Sequence, residues 1–100
     1  MKLYLGKREG SKAVIYVDDK ELPLDPSLKL RDHSPTGFEF GYGGSGPTQL
    51  ALAILLDVTS NPDLALAHYK DFRDDFIAPA QFEGFALTEL EISQWLLGKV

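Results

Sequence analysis

The sequence predicts an α+β fold in which a small antiparallel sheet of three or four strands packs against three helices. Strand-forming segments are grouped mostly near the N-terminus and helical patterns follow them, which favours α+β over an alternating α/β sheet. The helix predicted from Pro47 to Val58 is apolar nearly all round from Leu50 onward, so it is expected to be the central helix. A length of 100 residues suits a single domain with one core, residues 1–100.

The N-terminal third has the pattern of a β-hairpin followed by irregular chain. Strand-forming residues at 3–5 and 13–17 flank a turn at residues 9–11. A second polar turn at residues 18–20 allows the following residues to pair briefly. Prolines at positions 23 and 26 then end regular structure, so residues 24–30 are predicted to form an extended connection across the sheet.

An aromatic strand and a glycine-rich loop are predicted before the central helix. The strand is indicated by alternating aromatic residues, Phe38, Phe40 and Tyr42, which suggest one buried face. The loop from Gly41 to Thr48 has the spacing of the phosphate-binding loop G-x-x-x-x-G-K-[ST], but Pro47 replaces the lysine. Proline brings neither the cation nor an amide donor, so a tight turn into a helix beginning at Pro47 is the better interpretation.

Two further helices are predicted in the second half. Asn61 provides an N-cap, followed by a proline and an acid in the first turn of a helix that buries an aromatic stripe. Thr88 and Glu91 have the spacing of a capping box, which opens a final helix ending at Gly98. Residues 81–87, between these helices, fit either a short edge strand or an apolar loop.

Composition and charge argue against several functions. The formal net charge of −5, from 15 acidic and 10 basic residues, is unfavourable for binding nucleic acid. The absence of cysteine excludes disulfides and thiolate chemistry. No apolar segment is long enough for a signal peptide or a membrane span, so a soluble, cytoplasmic protein without membrane contact is expected.

No pattern in the sequence indicates an enzyme. Asp32, His33 and Ser34 are adjacent, so their side chains point in different directions and cannot form a catalytic relay. His68 has an acid one turn away, which is too few ligands for a metal site. We therefore expect no catalytic residue, no metal ligand and no cofactor.

Two other acidic side chains are predicted to have structural partners. Asp57 ends the central helix, where an acid opposes the helix dipole unless a basic residue pairs with it. Glu39 lies opposite the aromatic face of the predicted strand, where it could pair with Arg31 or Lys29. Both acids are expected to stabilise the fold rather than to carry chemistry.

The segment HSPTGFEFGYGGSGP, with LKLR before it and T-x-x-E-I-x-x-W-L near the C-terminus, resembles a family of small bacterial and phage proteins of unknown function. The resemblance spans nearly the whole chain. Phe40 stands where a tryptophan is usual in that family, which keeps a large ring. The family has no established activity, so the resemblance implies a cytoplasmic, phage-related or mobile-element protein and leaves the chemistry open.

Two functions follow from these observations. The preferred one is a non-enzymatic interaction module, such as a phage or mobile-element accessory protein, whose acidic surface and loop meet a protein partner. The alternative is a binding module for a small anionic ligand, a nucleotide or phosphorylated metabolite, held by backbone amides of the glycine-rich loop. Its expected ligand-binding residues are Arg31, His33, Ser34, Thr36, Gly43, Gly44, Ser45 and Gly46. An unpaired sheet edge leaves homo-oligomerisation open.

Overall fold

The computed structural model describes residues 1–99 and contains one four-stranded antiparallel sheet covered by helices. The strands are β1 (Leu3–Glu9), β2 (Lys12–Val17), β3 (Lys20–Glu21) and β4 (Gly84–Thr88), in the spatial order β3-β2-β1-β4. The helices are α1 (Asp25–Leu30), α2 (Ser45–Thr59), α3 (Pro62–Phe72) and α4 (Glu89–Leu97), and a π-helical turn, Arg73–Ile77, continues α3. The predicted α+β class, with its strands mostly N-terminal, is confirmed.

The predicted hairpin forms between β1 and β2, and turn chemistry explains it. Gly10 takes φ +64° at the first central position of the β1–β2 turn, where a hairpin needs glycine. Asp18 and Asp19 have φ values of +49° and +72°, which are the signs that a type I′ turn requires. The Asp18 carboxylate also accepts from the Leu3 N–H at 2.9 Å. β3 is short and pairs with only the last two residues of β2.

α2 is the central helix, as predicted. Every residue from Gly46 to Leu55 is buried, and burying each leucine or isoleucine side chain contributes about 1.5–3 kcal/mol. The helix begins at Ser45 rather than at Pro47, because Gly44 already provides the extended N-cap residue. Its partners in one continuous core come from the sheet, α3, the π-helical turn and α4: Tyr4, Ile15, Phe72, Ile77 and Ile92.

The prediction of an extended connection over residues 24–30 is wrong, because six of these residues form α1. Pro26 was expected to end regular structure, yet it lies in the first helical turn. A missing N–H costs nothing there, since that group has no partner within the helix. The buried Ser27 hydroxyl donates to the Leu24 carbonyl at 2.9 Å and helps to close the turn.

The predicted aromatic strand at residues 38–42 is also wrong, because this segment is irregular and does not join the sheet. Its backbone finds other partners. The Phe40 carbonyl accepts from the Arg8 guanidinium at 3.2 Å, and the Gly41 N–H donates to the Ile77 carbonyl at 2.9 Å. Gly41 has φ +92°, which turns the chain toward α2. Phe40 is therefore buried, whereas Tyr42 is 53% exposed.

The second half agrees closely with the prediction. The Asn61 side chain accepts from the Leu64 N–H at 3.2 Å and caps α3, and the capping box of Thr88 and Glu91 opens α4. Of the two alternatives for residues 81–87, the edge strand is correct, because β4 pairs with the outer side of β1. None of the helices among residues 1–99 has the length and apolarity needed to cross a membrane.

The predicted pairing of Asp57 is confirmed. Its carboxylate lies 3.2 Å from Lys2 Nζ and accepts from the Tyr4 hydroxyl at 2.6 Å. Burial, together with this hydrogen bond, raises the pKa of Tyr4 well above its ordinary value. The Tyr4 hydrogen bond joins β1 to the last turn of α2, and the charge of Lys2 offsets the unfavourable position of an acid at the C-terminal end of a helix.

We expect Thr88→Ala to lower the free energy of unfolding by about 1 kcal/mol, because the Thr88 hydroxyl accepts from the Glu91 N–H at 3.1 Å. Urea denaturation followed by circular dichroism measures the loss. Thr88→Ser keeps the capping oxygen and is expected to retain most of the stability. Equal losses in both variants would show that the methyl group, and not the cap, matters.

Candidate binding site

A buried glutamine fixes the segment that precedes the glycine-rich loop. Gln49 Oε1 accepts from the backbone N–H groups of His33 at 2.6 Å and Ser34 at 3.0 Å. Its Nε2 donates to Ser27 Oγ at 2.9 Å and to the Arg31 carbonyl at 3.1 Å. Gln49 is fully buried and all four hydrogen bonds of its amide are made. This one side chain therefore joins residues 27–34 to the first turns of α2.

Arg8 fixes the other end of the same segment. Its guanidinium lies between the rings of Phe40 and Phe82, 4.2 Å and 4.1 Å from their centroids. The group also donates to the Phe82 carbonyl at 2.8 Å, and the side chain is only 9% exposed. Cation–π contacts and charge-assisted hydrogen bonds are strongest when water is excluded, so this arrangement is a rigid anchor.

Glu39 pairs with Arg8 at 2.7 Å, so the predicted pairing with Arg31 or Lys29 is wrong. The prediction assumed a strand at this place, and the irregular chain instead turns Glu39 toward β1. The stem of Glu39 also packs on Gly46, where an added Cβ would lie 2.7 Å from the Glu39 Cβ. Glycine is needed at this position for close packing.

A groove runs along the open edge of β2. It consists of two adjoining surface cavities, one of about 360 Å³ that reaches the glycine-rich loop and one of about 260 Å³ that reaches residues 22–24. Both cavities are lined by Lys12 and Ala13 of β2 on one side and by residues 36–38 on the other. We call this feature the β2-edge groove.

The structure divides the predicted ligand-binding residues into two groups. Four of them line the β2-edge groove: Ser34, Thr36, Ser45 and Gly46. The other four do not line it: Arg31, His33, Gly43 and Gly44. Gln49 holds the backbone of His33 and Ser34, and the side chains of these two neighbours bond to different groups.

His33 lies in a second place, against α3. Its Nε2 atom shares a hydrogen bond of 2.8 Å with the Tyr69 hydroxyl. Burial lowers the pKa of His33 below 6.5, and the positive charges of three residues lower it further: Lys70, Arg31 and Arg73. The negative charge of Asp32 raises this pKa and so offsets only part of the lowering.

Arg73 also donates to Thr48 Oγ1 at 3.0 Å, which places its guanidinium near the first turn of α2. We call Arg31, His33, Lys70 and Arg73 the His33 cationic patch.

The side chains of His33 and Ser34 bond to different groups. Ser34 Oγ donates to the Gly37 carbonyl at 2.7 Å, whereas the His33 ring turns to Tyr69. Within residues 1–99, no group of three or more His, Asp or Glu side chains is placed to hold a metal ion.

Sequence reasoning did not identify Arg8 or Gln49 as important. Gln49 carries a signal that could have been used, because it is a long polar side chain at the beginning of the most apolar helix. Such a residue is expected to be buried only with its hydrogen bonds made. Arg8 carries no such signal, since its partners are distant along the chain.

The chain belongs to a family of unknown function, DUF6166, which it matches over residues 4–98. The predicted membership in a family of small domains of unknown function is thus confirmed. The comparisons with curated proteins and with solved structures gave no match. The family carries no activity to transfer, so any proposal about function depends on the geometry of the groove and the patch.

We expect Gln49→Met to lower the free energy of unfolding by about 2–4 kcal/mol, because it leaves the partly buried backbone donors of His33 and Ser34 without acceptors. Gln94→Met, on an exposed site of α4, is the matched control and should change stability by less than about 0.5 kcal/mol. Urea denaturation of both variants measures the difference. Similar small losses in the two proteins would contradict the role assigned to Gln49.

Proposed function

We propose that this protein is a non-enzymatic interaction module that binds a partner protein in the β2-edge groove. The observation that supports the proposal is an elongated groove at an open sheet edge, since such edges are common binding surfaces for partner chains. The larger of its two cavities, of about 360 Å³, lies within the size range that binding sites commonly have.

The groove has an apolar end and a polar end, which suits a partner segment of mixed character. Leu22, Leu24 and Phe38 line the apolar end. Ser34 and Ser45 line the polar end near the glycine-rich loop. Apolar contacts supply most of the binding free energy in such sites, while a few polar groups fix orientation.

Both walls of the groove are held in place by hydrogen bonds within the fold. One wall is β2, which is held by its ladder to β1. The other wall is residues 34–39, anchored by Gln49 at one end and by Arg8 at the other. A preformed site loses less conformational entropy on binding, which favours recognition over a purely structural role for the groove. An accessory role in a phage or mobile element, in the cytoplasm, is the setting that we propose for such a module.

The test is affinity capture with a variant that fills the groove. Thr36 is exposed at the meeting point of both cavities, so Thr36→Arg should obstruct the groove without disturbing the core. We expect proteins captured from the host lysate by the unaltered chain to be depleted at least about tenfold, or about 1.4 kcal/mol, with this variant. Gln94→Arg, on α4, is the control and should retain them. Capture that is equal for both variants would refute the proposal.

A second candidate function, binding of a small anion, is favoured by the His33 cationic patch. Arg31 and Lys70 form no ion pair among the residues that the structure describes, although the chain as a whole is acidic. The glycine-rich loop has less support as the anion site, because the carboxylate-bearing side chain of Glu39 already packs on Gly46. An oxyanion at the patch would meet several positive charges.

Titration with inorganic phosphate tests this second candidate. The pKa of His33 lies below 6.5 without ligand, and a bound anion favours the imidazolium, so phosphate should raise this pKa. At pH values where phosphate remains a monoanion, binding should consequently tighten as the pH falls. The imidazole resonances, followed by NMR at constant ionic strength, report both effects. Lys70→Ala should reduce both the rise in the His33 pKa and the affinity for phosphate, and Lys12→Ala should change neither. An identical response to chloride would eliminate the candidate.

A further inference from the structure

We propose that a separate cavity, at the C-terminal end of α2, binds a free α-amino acid with an apolar side chain. The cavity has a volume of about 310 Å³ and lies outside the His33 cationic patch. It shares only residues 22–23 with the β2-edge groove, so this ligand site does not depend on the proposed partner site. Its wall combines one ammonium group, one carboxylate and an apolar surface.

The carboxylate of Asp57 lines the cavity with one of its oxygens unused. Asp57 Oδ2 accepts from Lys2 Nζ at 3.2 Å and from the Tyr4 hydroxyl at 2.6 Å. Asp57 Oδ1 has no hydrogen-bond partner among residues 1–99, whereas the buried side-chain oxygens in this part of the chain all have one. Oδ1 is therefore accessible to solvent and can accept from a ligand.

Lys2 offers a donor beside this acceptor. Its ammonium group carries three N–H donors, and its contacts among residues 1–99 are with Asp57 alone, at Oδ2 and at the backbone carbonyl, 3.5 Å away. The side chain is 42% exposed, so a third N–H can reach a ligand. The Lys2 backbone is fixed, because its N–H donates to the Glu89 carboxylate and its carbonyl accepts from the Glu89 N–H, each at 2.9 Å.

An α-amino acid complements this pair, because it carries an ammonium group and a carboxylate on one carbon atom. The ligand carboxylate would accept from Lys2 Nζ, and the ligand ammonium group would donate to Asp57 Oδ1. The C-terminal end of α2 is also the negative end of its helix dipole, which favours an ammonium group there. A ligand with only one of the two charges would cover the other member of the pair without a partner.

The rest of the wall suits an apolar side chain and needs little ordering. Five apolar residues line it: Leu22, Pro23, Pro26, Leu56 and Pro62. A proline side chain has no rotamer freedom to lose on binding, and proline has no backbone N–H that would require a partner. The volume lies near the lower end of the range for ligand sites, which suits a single amino acid better than a larger metabolite.

NMR titration of the full chain with L-leucine and with three analogues tests the site. L-Leucine should give saturable shifts of the Lys2 and Ser60 amides, since both residues line the cavity. Isoamylamine lacks the carboxylate of leucine, isocaproate lacks its ammonium group, and glycine lacks its side chain. We expect each analogue to bind at least about tenfold more weakly than L-leucine.

Two outcomes of this titration would overturn the proposal. One is the absence of saturable shifts with L-leucine. The other is an analogue that binds as tightly as L-leucine, because the cavity would then recognise one charge or an apolar body alone.

Lys2→Gln tests the assigned contact with the ligand carboxylate. The variant should weaken binding of L-leucine at least about tenfold without weakening binding of isoamylamine, which has no carboxylate. Lys20→Gln, on β3 and outside the cavity, is the matched control and should change neither affinity. Equal weakening of both ligands by Lys2→Gln would overturn the proposal. Thr36→Arg should leave L-leucine binding unchanged, so failure of this site and failure of the partner site are distinguishable.

Discussion

The buried amide of Gln49 is the interaction on which the arrangement of both candidate sites depends. It supplies two acceptor contacts and two donor contacts to residues 27–34, a stretch that lies outside the sheet. Burying an amide side chain costs free energy unless each of its hydrogen bonds is made. The same holds for the backbone groups that this amide binds. α1, the following segment and the first turns of α2 must therefore assemble together. Partial docking would leave several polar groups buried and unpaired.

Arg8 completes this constraint from the opposite side. It reaches from β1 to the carbonyl of Phe40 and the carboxylate of Glu39, so residues 33–40 are anchored at both ends. The chain between the anchors runs beside β2 but does not pair with it. This separation produces the groove, because the fold holds a second wall near an open sheet edge without closing the gap. The anchors explain how an unpaired edge can persist beside an extended segment.

The two candidate functions use opposite sides of one segment. Ser34 and Thr36 line the groove, whereas His33 hydrogen-bonds to Tyr69 of α3, near the positive charge of Lys70. An interaction module and an anion site are therefore compatible in one molecule. Because Gln49 binds the backbone of both His33 and Ser34, neither site can shift far without straining the other.

Local patterns in the sequence determined the hairpin, the capped helices and the central apolar helix. Turn residues, the Thr88 capping box and the uniformly apolar run act over a few neighbours, so no knowledge of distant contacts was needed. Tertiary structure decided the rest. The alternating aromatics around Phe40 have a strand pattern. The backbone there does not join the sheet, because the Phe40 carbonyl accepts from Arg8 and the Gly41 N–H donates to the Ile77 carbonyl. Gln49 and the pairing of Glu39 were likewise decided by partners far along the chain, because periodicity shows which side chains are buried and not which groups will meet them.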